Sequence, residues 1–281
     1  MSQLSGDQQS AVIAALCEGV SIRATERLTG IHRDTIMRLG VKVGQGCNAL
    51  HGRLMVNLNV GRVELDEVWS FVKKKRRNIL ADDPDTIGDQ FIYLAMDSTG
   101  KAILSWLVGK RSTRNTIRFV EDVRHRVSGN PEISTDGYAP YIRAVDEAFD
   151  GTASHGIVDK KEVVIAKGPD ADRYYAKQVL VKVERTAISG TPETISTSFI
   201  ERQNLTLRMS QRRLTRLSNG FSKKFENHCA AVALTENLEQ SRLQALTGLS
   251  TGPYSKGVMT MRITIKVDLI FWITAIWLLT H

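Results

Sequence analysis

Three acids in this 281-residue chain have the residue type and placement that metal-dependent phosphodiester chemistry needs. They are Asp66 in ELDEVWSF, Asp136 in ISTDGY and Glu201 in SFIERQN. Long stretches of chain separate them, so only a fold could gather them. Two Mg2+ ions roughly 3.5–4 Å apart can activate an attacking oxygen and stabilise a leaving one. Mg2+ takes hard oxygen ligands and keeps several waters, so a few convergent carboxylates suffice. On this reading Asp66 bridges both ions, while Asp136 and Glu201 hold one each. Mn2+ is the expected substitute, and no His or Cys is required. Singly, each acid has an ordinary alternative: a strand-end Asp often forms a turn, and a Glu on a basic helix often pairs at i,i+4. Glu67 and Asp97 are the rival acids, and Asp97, opening DSTG, reads as a turn residue.

The elements that would position these acids follow from the pattern. VELDEVWSFV, FIYLAMDST and KAILSWLVGK read as three strands, the last two joined by a hairpin turn at residues 97–100. A helix is expected over Arg114–Val127, a strand over Glu132–Thr135 ending at Asp136 and turned by Gly137, a helix over Tyr141–Phe149, and a strand at SHGIVD. A less regular stretch follows, and SFIERQNLTLRMSQRRLTRL then reads as one long basic helix. Antiparallel neighbours followed by helical crossovers give a mixed α/β sheet flanked by helices. Asp66 falls on the first strand, Asp136 at the end of the fourth, and Glu201 early in the last helix.

Upstream, Gln8–Leu16 is amphipathic, and SIRATERLTGIHRDTIMRLG reads as a helix capped by Ser21, a turn at Gly30, and a second helix from about His32 to Leu39. This is a helix-turn-helix pattern, and Arg33, Thr35 and Arg38 are side chains suited to a DNA groove. A plain helical hairpin is the alternative. The Gly-rich VGQGCNALHGR reads as the link to the sheet. The expected organisation is a DNA-binding domain at 1–50, a catalytic domain at 60–234 and an atypical tail at 235–281.

Thirty-eight Lys and Arg against thirty Asp and Glu leave a net charge of +8, which suits a polyanionic partner. The run KKKRR, with Lys73, Lys74 and Lys75, is a candidate DNA contact close in sequence to Asp66; a solvated loop is the alternative. Arg208, Arg212 and Arg216 repeat every four residues and would form a phosphate-tracking stripe on the last helix. Three cysteines, Cys17, Cys47 and Cys229, show no CxxC spacing, which points away from a disulfide framework or thiolate zinc site and towards a cytoplasmic protein. The start MSQLSGDQQS does not read as a signal peptide. The apolar LIFWITAIWLLTH near the C-terminus is too short for a membrane span, so no membrane association is expected.

The three acidic blocks together resemble the DDE transposases of bacterial insertion sequences, most closely the insertion-sequence-one type. ELDEVWSFV, STDGYAPY and SFIERQNLTLRMSQRRLTR carry the resemblance, which spans about residues 15–234. Trp69 and the Gly137-Tyr138 pair fit it, and Arg208 matches the basic residue that such enzymes place two helical turns beyond the glutamate. The resemblance implies an RNase H-like core preceded by the helix-turn-helix, Mg2+ dependence, and recognition of terminal inverted repeats. It also implies cleavage that frees a 3′-OH, attack of that hydroxyl on target DNA, and work as a homo-oligomer. Beyond about Leu234 the chain departs from the family pattern. An RNase H-like nuclease without strand transfer and an inactive DNA-binding regulator are the alternative readings.

Overall fold

A computed structural model of the chain describes residues 4–165, 177–214 and 219–247. The chain opens with three helices. In α1 (Gly6–Cys17) the Ser5 side chain accepts from Gln8 N while the Gln8 side chain caps the Ser5 amide in return. In α2 (Ile22–Thr29) Ser21 accepts from Ala24 N, and Gly30 ends the helix in the left-handed region at φ 69°. Then α3 (Arg33–Leu54) begins, with His32 Nδ1 accepting from Asp34 N. Val12, Ile31 and Ile36 pack together between the helices, which leaves Arg33 and Arg38 exposed and Thr35 half-buried. A helix, a turn at Gly30 and a second helix thus follow one another where the sequence placed them.

The expected glycine-rich link is not a link. Residues 43–53 continue α3 without a break. A Cβ on Gly44 would lie 2.1 Å from the Ala230 carbonyl oxygen, so this glycine lets α3 press against α7 (Phe225–Thr247). Glycine composition reads as a loop when its cause is close helix packing. Val43, Cys47, Ile13, Cys17 and Leu234 share the resulting core.

The central sheet is built from β2 (Arg62–Val72), β3 (Gly88–Asp97), β4 (Ile103–Gly109), β6 (Glu132–Asp136), β7 (Ser154–Ile165) and β8 (Lys177–Ser189), in the order β4-β3-β2-β6-β7-β8. Two short strands, β1 (Leu58–Asn59) and β5 (Val127–Ser128), pair in parallel apart from it. The first three strands of the large sheet are antiparallel neighbours. β6 lies parallel to β2, and β7 parallel to β6. Between them run α4 (Thr113–Arg126) and α5 (Pro140–Ala148). This antiparallel meander followed by parallel crossovers is the mixed α/β sheet flanked by helices that the sequence led one to expect.

Alternation along β2 divides the molecule. Val63 and Leu65 face a core with Phe119 and Val123 of α4 and Tyr141 and Val145 of α5. Val68 faces the other side, packed with Ile200 and Leu207 of α6 (Ser198–Ser210) and Val232 of α7.

Three further expectations change. The stretch read as irregular contains β8, antiparallel to β7. The long basic helix stops at Ser210, because Gln211 is extended (φ −108°, ψ 103°), and one 3-10 turn follows at Arg212–Leu214. Arg208 and Arg212 therefore share no unbroken helix, since Arg212 sits in that turn; Arg216 lies outside the described residues. At Leu234 there is no break in the backbone, since α7 runs on to Thr247. The apolar stretch from Leu269 also lies outside the described residues. Among the described residues no helix is long and apolar enough to cross a membrane.

Candidate metal centre

The parallel pairing of β2 with β6 brings two acids together. Glu64 is the partner of Ser134, so Asp66 and Asp136 come level two residues further along. Ligand oxygens of Asp66, Glu67 and Asp136 all lie within 4.8 Å of one another. Glu67, weighed from sequence as a rival, thus joins the cluster, entering from the opposite face of β2.

Each acid is held by a distinct set of partners. Asp66 Oδ1 accepts from Glu67 N at 2.8 Å, and its Oδ2 accepts from Asn204 Nδ2 at 2.7 Å. Asp136 Oδ1 accepts from Tyr138 N at 3.0 Å. Gly137 takes no left-handed φ, and a Cβ there would meet only the Asp159 carboxylate, at 3.7 Å. The expected need for glycine in a sharp turn is therefore not met; Asp136 itself holds the turn through Tyr138 N. Glu201, on the first turn of α6, accepts from Thr197 Oγ1 at 2.6 Å and from Lys160 Nζ on both carboxylate oxygens. Its charge is felt by both Asp66 and Asp136.

A buried carboxylate fixes α6 against β2. Glu64 Oε2 accepts from Phe199 N at 2.9 Å and Ile200 N at 2.8 Å, the open amides at the helix start. Glu201 and Asn204 therefore reach the acids on β2 from a clamped helix.

Arg111, between β4 and α4, enters from the other face. Its Nη2 lies 3.2 Å from Glu67 Oε2 and 3.3 Å from Asp136 Oδ2, and its guanidinium carbon sits 3.9 Å from the Tyr138 ring centre. The neighbouring backbone is pinned: Tyr93 Oη donates to the Lys110 carbonyl and accepts from Ser112 N.

The electrostatics favour a cation. Burial raises the Asp66 carboxyl to about 6, helped by Asp136 and Glu201. Burial raises Glu67 to about 8, with Asp136 the next cause, and burial also raises Asp136. Glu67 Oε1 is buried, and the buried Tyr141 hydroxyl beside the Glu67 carboxyl opposes the rise only in part. Crowded, desolvated carboxylates are costly to ionise without a compensating positive charge. An all-oxygen donor set, its carboxylates gathered within 4.8 Å and largely desolvated, fits a hard divalent ion such as Mg2+ or Mn2+.

The other expected site residues fall elsewhere. Arg208 is half-buried on α6, two turns past Glu201. Lys73–Lys75 follow the end of β2, about 20 Å along the strand from Asp66 at 3.3 Å per residue, and so do not sit beside the acids. Lys74 Nζ is bonded to Asp83 at 2.8 and 2.6 Å, and Lys75 lies over the Phe71 ring. Lys73 is exposed in a left-handed conformation at φ 62°, its amide bonded to the Ser222 carbonyl. Asp97 accepts from Thr99 N and Gly100 N, the turn role expected of it. His51, four residues after Cys47, bonds through Nε2 with the Ile103 carbonyl. Sequence reasoning missed Asn204, Arg111 and Lys160. SFIERQN places Asn204 one turn past Glu201, a usable signal for the first; Arg111 and Lys160 carry none.

Residues 87–168 match a family described as a DDE domain. Of the three acids, Asp136 lies inside that span. No curated protein matches the sequence. Among the solved structures similar at low identity are two complexes. One is the piggyBac transposase synaptic complex with hairpin DNA, with 10% identity and a TM-score of 0.44 over 98% of this chain and 72% of that one. The other is the Mos1 strand transfer complex, with 11% identity and a TM-score of 0.24 over 93% of this chain and 81% of that one.

Proposed function

We propose that the chain is a DDE transposase, of the insertion-sequence-one type, that cuts DNA strands and joins the freed ends to target DNA. Asp66, Asp136 and Glu201 carry the metal chemistry. The observation that carries this reading is the convergence of Asp66 and Asp136 on paired strands of an RNase H-like sheet, with Glu201 on a clamped helix beside them. The match of residues 87–168 to a DDE domain supports it.

A bound pair of Mg2+ ions would supply the charge that activates the attacking oxygen and stabilises the leaving one. The chain's own residues do the positioning. Asn204 and the Glu67 amide orient the Asp66 carboxylate, Tyr138 N orients that of Asp136, and Glu64 holds α6 so that Glu201 meets them. Arg33, Thr35 and Arg38 on α3 read duplex DNA at the element's terminal inverted repeats. Lys73, Lys74, Lys75, Arg208, Arg212 and Arg216 contribute phosphate contacts, and the net charge of +8 favours them. The enzyme works as a homo-oligomer on paired ends, in the bacterial cytoplasm.

Purified protein with Mg2+ and DNA carrying the element's ends is expected to give nicked and target-joined products. Asp66→Asn should abolish both while leaving the far-ultraviolet circular dichroism unchanged. Cleavage without joined products would reduce the protein to a nuclease, and undiminished activity of Asp66→Asn would remove the catalytic assignment.

A further inference from the structure

We propose that Arg111 and Lys160 are internal counter-ions of the metal centre, which neutralise its carboxylates in the metal-free protein and are displaced by a divalent cation. This rests on the metal-centre reading above. A single nitrogen of Arg111 bridges Glu67 and Asp136, at 3.2 and 3.3 Å. Arginine usually meets a carboxylate as a two-pronged fork. One nitrogen shared between two carboxylates from opposite faces of the sheet instead stands where a small cation would. Lys160, on β7, does the same for Glu201 by touching both of its oxygens.

Compensation by these two side chains is incomplete. Asp66, Glu67, Asp136 and Glu201 face two cations, and Asp66 is held by the neutral donors Glu67 N and Asn204 Nδ2. A divalent ion would supply the missing charge, at metal–oxygen distances of about 2.0–2.1 Å for Mg2+. It needs the same oxygens that Arg111 and Lys160 now hold. A positive charge left about 3 Å away would also repel it. The Tyr138 ring stacks on the guanidinium in this same position, and Tyr93 pins the adjoining backbone, so displacement by an ion would move the Arg111 side chain and not the loop that carries it. Once displaced, both cations are free to meet a phosphate.

The test is a Mn2+ titration of the full-length protein without DNA, followed by electron paramagnetic resonance, on wild type, Arg111→Gln and Lys160→Gln. Each variant is expected to bind Mn2+ about tenfold tighter than wild type. Lys160 joins a partly exposed pair, so Lys160→Gln carries the test should Arg111→Gln fail to fold. Unchanged or weaker binding in folded variants, with wild type binding normally, overturns the proposal and leaves the metal centre standing. A wild type that binds no Mn2+ overturns both.

Discussion

Asn204 Nδ2 donates to Asp66 Oδ2 at 2.7 Å, joining the helix that carries Glu201 to the strand that carries the first acid. The bond fixes which oxygen of Asp66 faces the remaining acids. Hydrogen bonds to a ligating carboxylate orient it, and losing one costs roughly 10–100-fold in metal affinity or activity. Asn204→Leu is therefore expected to lower metal-dependent strand cleavage by about that factor while melting within a few degrees of wild type. Cleavage rate and Mn2+ affinity measured together check it; full activity would show that Asp66 needs no such support.

Glu64 acts one step further back. Its Oε2 satisfies two amides at the start of α6, one of them fully buried. Glu64→Ala strands both donors and should destabilise the protein by about 1–3 kcal/mol. Glu64→Gln keeps an acceptor and should cost less. Urea unfolding of the two variants gives the ordering directly, and equal stability would contradict the capping role.

Glycines on α3 make opposite predictions. A Cβ at Gly44 would strike the Ala230 backbone, whereas one at Gly52 meets nothing within 4 Å. Gly44→Ala should cost about 1–3 kcal/mol by forcing α3 from α7. Gly52→Ala should gain about 0.5–1 kcal/mol from helix propensity. Thermal melting of both variants settles the contrast.

His228 predicts a pH dependence. Burial lowers it to about 4, and its two ring nitrogens are bonded to Ser70 and Ser222. The unfolded chain titrates this group near 6.5, so between about 6.5 and 4 the unfolded state holds more protons. Its contribution is present above about 6.5 and is lost as pH falls towards 4. Asp66 and Glu67, raised rather than lowered, act with the opposite sign, so the difference between wild type and His228→Gln isolates the histidine. That difference in unfolding free energy should shrink from pH 7.5 to pH 5; a constant difference would refute the prediction.

Much of the architecture could be read from residue periodicity. The strands around Asp66 and Asp136 alternate, and Ser21 and Gly30 mark the start and end of α2, because those signals are local. Signals of two other kinds misled. Glycines at 44 and 52 read as a linker, though the reason for Gly44 is a neighbour 186 residues away in sequence, Ala230. Arginines repeating every four residues suggested an unbroken helix, but repetition of charge does not hold a helix together past Gln211. VLVKVERTAI, part of β8, does alternate, and the pattern was available. At the site, Asp66 within a strand, Asp136 at a strand end and Glu201 in the first turn of a helix were legible from residue type and local pattern. Arg111, Lys160 and the entry of Glu67 from the far face depend on strand register and loop geometry, which no local pattern encodes.

The central claim is that the acids gathered on β2, β6 and α6 grip divalent cations. The most direct measurement is the Mn2+ stoichiometry and affinity of wild type, Asp66→Asn and Asp136→Asn, each checked for native circular dichroism. The account predicts saturable binding by wild type and its loss in both variants. Wild-type binding in either variant would contradict it.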